Sequence, residues 1–258
     1  MKVLKFVLSL VLIGLLGSCG NLRIKAHQPF QAPAKAQNIA LTSFYLSPPE
    51  LARVPKADAK SFNAKVFKME QDLITEFEAR AKEYLTLLDQ GLEMQMGLNT
   101  LAGAELEATS RYKRSVQKQE LESLTIAAKK KFKNIILAEG SMNFFEFKEG
   151  DLKGYIEESP RLRSAVRSNL KNLDSEIMAV ANARLSLDRV TRNGALASLK
   201  LKLDIYLFDD QGKTIGHGYG ETEPINVDGT QFSDFELVLD QYGSLQKEVL
   251  TAMTAVDE

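Results

Sequence analysis

The chain has 258 residues, 44% hydrophobic and 26% charged, with 33 basic against 34 acidic side chains and a single cysteine. That apolar content suffices for the core of one large domain or two small ones, and so even a charge balance argues against nucleic acid or an anionic bilayer surface as a partner. With only Cys19 present, an internal disulfide is excluded and packing must hold the fold.

Lys2 and Lys5 open the chain, and residues 3–16 form an apolar run broken by Ser9 and Gly14. The run is too short for a span of about 20 residues. It ends in Leu16-Gly17-Ser18-Cys19. This layout resembles the signal of bacterial lipoproteins. The resemblance implies a signal peptide at 1–18, cleavage between Ser18 and Cys19, and a diacylglycerol on the Cys19 sulfur with palmitate-type acyl chains. The membrane partner is then reached through those chains. Removing Lys2 and Lys5 with the signal leaves 31 basic against 34 acidic residues, a net charge of −3. Gly20 stands where lipoproteins retained at the inner membrane usually carry Asp, which implies the outer membrane.

Residues 19–37 contain Pro29 and Pro33 with little periodicity and read as a flexible tether of roughly 50 Å reach. A single domain follows at 38–258. Residues 38–46 are rich in strand-forming side chains and stop at Pro48-Pro49. Over 58–90, Phe62, Val66, Met69, Leu73, Phe77, Ala81, Tyr84 and Leu88 recur at three and four, which marks a helix with one buried stripe. Gly91 and Gly97 bracket Met94 and Met96 in an apolar loop, read either as an adaptable docking surface or as core. Helical character returns over 105–131, so that 58–131 is a long helical insertion. Residues 134–147 begin with four apolar residues, as a central strand would. Ser159-Pro160 starts a helix carrying Leu162, Val166, Leu170 and Leu173. Ile177 fits either its continuation or the next strand.

Leu199, Leu201, Leu203, Ile205 and Leu207 alternate with polar residues, as do Ala181, Ala183, Leu185 and Leu187 upstream. Keeping both apolar sets on one face selects a three-residue loop, Arg192-Asn193-Gly194, with Leu187 opposite Leu199 and Leu185 opposite Leu201. The same test on Asp210-Gln211-Gly212 sets Leu207 opposite Ile215, Ile205 opposite His217 and Leu203 opposite Tyr219. The result is a three-stranded meander. A capping box, Ser233 to Glu236, then opens a last helix weakened at Gly243.

Chemistry is sparse. His27 falls in the tether and His217 on the covered face of the meander, where a lone histidine is a packed residue more often than a ligand or base. No metal motif, nucleophile elbow or P-loop is present. Glu146, Glu149, Asp151 and Asp209-Asp210 lack calcium-loop spacing. These readings leave no catalytic residue, no metal and no cofactor. Gly216, Gly218 and Gly220 alternate at strand spacing without a following helix, so they favour close approach of another backbone, helix or subunit over a phosphate cradle. Together with Met94 and Met96 they make a candidate contact surface.

The fold read from these elements is α/β: a mixed sheet with a C-terminal three-stranded antiparallel meander and helices packed against it. Residues 124–142 and 199–221 resemble the helix-then-strand passage and the strand, Asp-x-x-Gly turn and strand of the periplasmic domain in curli-secretion-channel subunits and in lipoprotein activators of penicillin-binding proteins. The residues and that resemblance together give the expectation of a non-enzymatic, lipid-anchored envelope protein docking onto another envelope component. The alternatives are a subunit of an oligomeric outer-membrane secretion channel and an envelope hydrolase with a carboxylate site.

Overall fold

Alternating leucines over Leu196–Phe208 and small residues over Ile177–Val190 build the centre of a mixed sheet. A computed structural model describes residues 22–50, 59–114, 136–137, 157–190, 196–228 and 233–255. Its elements are β1 (Arg23–Gln28), β2 (Asn38–Glu50), α1 (Ala59–Met96), β3 (Asn99–Leu101), α2 (Ala104–Ala108), β4 (Ile136–Leu137), α3 (Pro160–Leu173), β5 (Ile177–Val190), β6 (Leu196–Phe208), β7 (Thr214–Glu221), β8 (Ile225–Asp228), α4 (Ser233–Leu239) and α5 (Tyr242–Thr254). The strand order is β1-β7-β6-β5-β2-β3, with β4 added to β2 and β8 to β6. β2 runs parallel to β5 and β3; the other pairs are antiparallel.

Each face buries its own cluster. Leu199 to Leu207 at every second position, with Ala179, Ala181 and Ala183, pack against Tyr84, Leu88 and Leu92 of α1 and Leu245, Val249 and Met253 of α5. The opposite face sets Met178, Val180, Tyr206 and Phe208 against Val166, Leu170 and Leu173 of α3. α3 begins as the sequence indicates, with Ser159 Oγ accepting from the Leu162 backbone N–H and Pro160 at the first turn. It ends at Asp174 in the left-handed conformation (φ 51°), so Ile177 belongs to β5.

Several readings are corrected. β2 does not stop at Pro48-Pro49 but runs on to Glu50, opposite Ser186, with the register shifting between Ser47 and Glu50 where the prolines remove ladder donors. Residues 22–37 are not a tether: Arg23 to Gln28 pair with β7, Leu22 and Ile24 pack on the core, and Phe30 N–H donates to the Met253 carbonyl. Short polar β1 is held by its partner strand more than by its own propensity. The Met-rich segment is no loop, because α1 runs through Gly91 to Met96 and closes at Gly97 (φ 66°), whose N–H donates to the Glu93 carbonyl. Gly91 is tolerated inside the helix because Gln246 occupies the space a Cβ would need. Ile136–Leu137 is not central, since β4 lies on the outer side of β2 opposite Tyr45 and Leu46. The last helix is two, α4 and α5, broken at Asp240–Gln241 and not at Gly243.

The first hairpin keeps the expected register, Leu187 opposite Leu199 and Leu185 opposite Leu201. A bulge between Leu187 and Arg189 then sets Val190 opposite Ala197. Gly194 lies outside the described residues, as do Ser18, Cys19, the rest of the expected 105–131 helix and Glu146, Glu149 and Asp151. The second hairpin departs from expectation. Its turn is the expected one, with Gly212 at φ 75° and Phe208 opposite Thr214. Ile215 is then skipped, so Leu207 faces Gly216, Ile205 faces Gly218 and Leu203 faces Gly220. The physical reason is α5. A Cβ at Gly218 would stand 2.6 Å from Met253 Cγ, and one at Gly220 2.6 Å from Val249 Cγ2, so the glycine row belongs under the helix.

Candidate functional site

The skipped Ile215 turns His217, Tyr219 and Glu221 onto the face away from α5, where they meet the polar residues that alternate with the leucines of β6. Tyr206 lies opposite His217, Asp204 between Asn182 and Tyr219, and Lys202 between Arg184 and Glu221. β1 completes the rows with Lys25 beside Tyr219 and Arg23 beside Glu221. One continuous polar stripe crosses four strands.

At its centre His217 Nε2 is 3.3 Å from Asp204 Oδ1, and Asp204 Oδ2 accepts from Arg184 Nη2 at 3.3 Å. Asp204 is 3% exposed and Arg184 8%, so the pair is removed from water, and its attraction must offset a substantial desolvation cost. Tyr206 stacks on the His217 ring at 3.9 Å between centroids, and His27 stacks on it at 4.8 Å. Burial and the neighbouring His217 ring hold the His27 pKa below the usual imidazole value, Asp204 opposing them. Lower in the stripe, Tyr219 OH donates to Glu221 Oε2 at 2.8 Å, and Lys200 Nζ lies 3.2 Å from the same oxygen. Burial and that carboxylate push the Tyr219 hydroxyl far above its ordinary value. Burial alone would raise Glu221, yet the Tyr219 hydroxyl and Lys200 hold it below the usual carboxylate range.

The arrangement grips His217. Its Nε2 is directed to a carboxylate that also serves Arg184, and its ring is stacked against Tyr206 and His27, which fixes its position and orientation. Among the described residues, no group of three or more His, Cys, Asp or Glu side chains is placed to hold a metal ion. A half-open cleft of about 450 Å³ lies elsewhere, between the loop after β1, α3 and the β6–β7 turn. It sets Lys35, Arg167 and Lys171 against Glu176, Asp209 and Asp210, so no single sign of charge selects a ligand. Several of these groups are committed to the fold: Glu176 Oε2 accepts from the backbone N–H groups of Gln37 and Asn38, and Asp209 Oδ1 from those of Gln211 and Lys213.

The candidate contact residues separate in the structure. Met94 is 76% exposed on the last turn of α1, whereas Met96 packs partly against the core. Gly216, Gly218 and Gly220 lie beneath α5 of the same chain, which removes them from any outer surface. His217 is not opposite Ile205 but opposite Tyr206. Asp204, Arg184, Tyr206 and Tyr219 were missed as its neighbours because the missing residue of register put them on the other face. His27 was missed because β1 was read as tether.

No protein-family model matches the chain. No curated protein matches it either. Among solved structures, a PelC dodecamer from Paraburkholderia phytofirmans is similar at a TM-score of 0.35 and 10% identity, covering 92% of this chain and 100% of that one. A single-residue variant of that PelC dodecamer gives a TM-score of 0.33 and 10% identity over 92% of this chain and 99% of that one.

Proposed function

We propose that the chain is a lipid-anchored cell-envelope protein, held through acyl chains on Cys19 and acting without catalysis as a docking module for another envelope protein. The observation that carries this reading is how close packing and strand pairing come to Cys19. Leu22 already packs on the core and Arg23 already pairs with Glu221. Only Gly20 and Asn21 separate them from the cysteine at which the signal-like segment ends. The folded domain comes within three residues of the position that would carry lipid, which supports removal of the signal-like segment at that bond. The gripped His217 supports the non-enzymatic part. Gly20 after the cysteine supports the outer membrane over the inner.

The test is made in the native envelope. Cys19→Ser is expected to release the protein from membranes and to abolish the lipid mass on the mature N-terminus; unchanged detergent partitioning and intact mass would overturn the anchor. Crosslinking of the anchored protein is expected to capture a different envelope protein. A ladder of self-linked copies alone would favour the oligomeric secretion-channel reading instead.

A further inference from the structure

The start of β1 and the far ends of β5, β6 and β8 lie at the same end of the sheet. Arg23 is level with Glu221 and, across β7, with Lys202. β6 continues from Lys202 to Leu196, and β8 becomes its partner where β7 stops, with Ile225 opposite Leu199 and Asp228 opposite Leu196. Those six residues at ~3.3 Å each project about 20 Å beyond Arg23. The chain from Arg23 back to Cys19 has four residues, and four residues span at most about 14 Å when fully extended. A lipidated cysteine sits where headgroups meet hydrocarbon, and the headgroup layer is roughly 5–7 Å thick on each side of the bilayer. The projection therefore outreaches the linker by about the thickness of that layer. An upright sheet cannot clear the surface.

We propose that the end of the sheet formed by β8 and the paired ends of β5 and β6 rests in the headgroup layer of the bilayer that holds the Cys19 acyl chains. This rests on the anchoring proposed above. The mature net charge of −3 asks for no anionic lipid, so a zwitterionic surface suffices. The opposite end of the sheet, with the β6–β7 turn and the cleft beside Lys35 and Arg167, then points away from the membrane toward other envelope proteins.

The test uses the full-length acylated protein in phosphatidylcholine vesicles containing a nitroxide lipid labelled near the headgroup. Asn226→Cys on β8 and Gln211→Cys on the β6–β7 turn are both exposed positions, and acylation of Cys19 leaves each introduced thiol as the single reactive one. Each carries an environment-sensitive fluorophore, and Pro224→Cys replaces Asn226→Cys if that variant folds poorly. Several-fold stronger quenching at residue 226 than at residue 211 is expected. Equal quenching, stronger quenching at 211 or none at either, with the lipid mass present on Cys19, overturns the orientation and leaves the anchor standing. An unmodified Cys19 with no vesicle retention overturns the anchor, and the orientation with it.

Discussion

Met253 lies so close over Gly218 that a Cβ on the glycine would come within 2.6 Å of Met253 Cγ, and within 2.8 Å of Val249 Cγ1. Methionine can swing aside, but the branched valine beside it cannot, so Gly218→Ala must push α5 off the sheet. A cost of about 2 kcal/mol is expected, in the range of overpacked cores. Gly216→Ala meets its nearest atoms only at 3.3 Å and should cost clearly less. Chemical denaturation of the two variants checks the order; a Gly216→Ala as damaging as Gly218→Ala would mean that α5 is not the element that demands the row.

His217 and Asp204 give a second expectation. His217→Gln should lower stability by about 1–2 kcal/mol through loss of a buried hydrogen bond and stacking. Asp204→Ala should cost more, about 3 kcal/mol, because it removes the carboxylate shared by the buried Arg184 and His217. The double variant should be less than additive, with a coupling of at least about 0.5 kcal/mol. Additive losses in a denaturation cycle would show that the 3.3 Å approach of His217 to Asp204 carries no energy. Loss of an enzymatic activity in His217→Gln at unchanged stability would instead reinstate catalysis.

Ser159 offers a local test. Its Oγ accepts from the Leu162 N–H at the start of α3, and α3 alone supplies Val166, Leu170 and Leu173 to the second cluster. Ser159→Ala should cost about 1 kcal/mol, and Ser159→Asp should restore most of it. Thermal melts of both variants read the difference.

These cases also show which parts of the fold the sequence could reveal. Ser159-Pro160 and the leucine alternation of β6 are local signals, and both stand in the structure as read. The first hairpin register followed because Leu185 and Leu187 had to share a face with Leu199 and Leu201. The second failed on a bulge at Ile215 that no residue type announces. Hydrophobic alternation alone sets Ile215 opposite Leu207; the bulge instead leaves Ile215 buried in the same cluster without a cross-strand partner, and the presence of α5 makes three glycines the inner face beyond it. β1 was illegible for a related reason: Arg23 to Gln28 contains one strongly apolar residue, and its order comes from the edge of β7. Because His27 and the face of His217 depend on these two features, the polar stripe could not be assembled from the sequence.

Asp89 provides a pH-dependent expectation. It is half-buried on α1, its Oδ1 has no hydrogen-bond partner among the described residues, and burial, then Glu105 and Glu93, push its carboxyl from 3.8 up to about 6. A folded-state pKa above the unfolded one means that the native protein binds this proton more tightly. The charged form therefore destabilises the fold above about pH 6, and the penalty fades as pH falls toward 3.8. Asp89→Asn should accordingly be more stable than the parent at pH 7.5 by about 1 kcal/mol, a figure that discounts the full shift for the solvent reaching a half-exposed group. The advantage should shrink through pH 6 and vanish near pH 4, where both proteins carry a neutral side chain at this position. Denaturation at pH 7.5, 6 and 4 reads the difference between the two proteins directly. A pH-independent gain would assign the effect to helix propensity and not to the buried carboxylate, and a loss of stability at pH 7.5 would show that the charge of Asp89 is compensated in the fold.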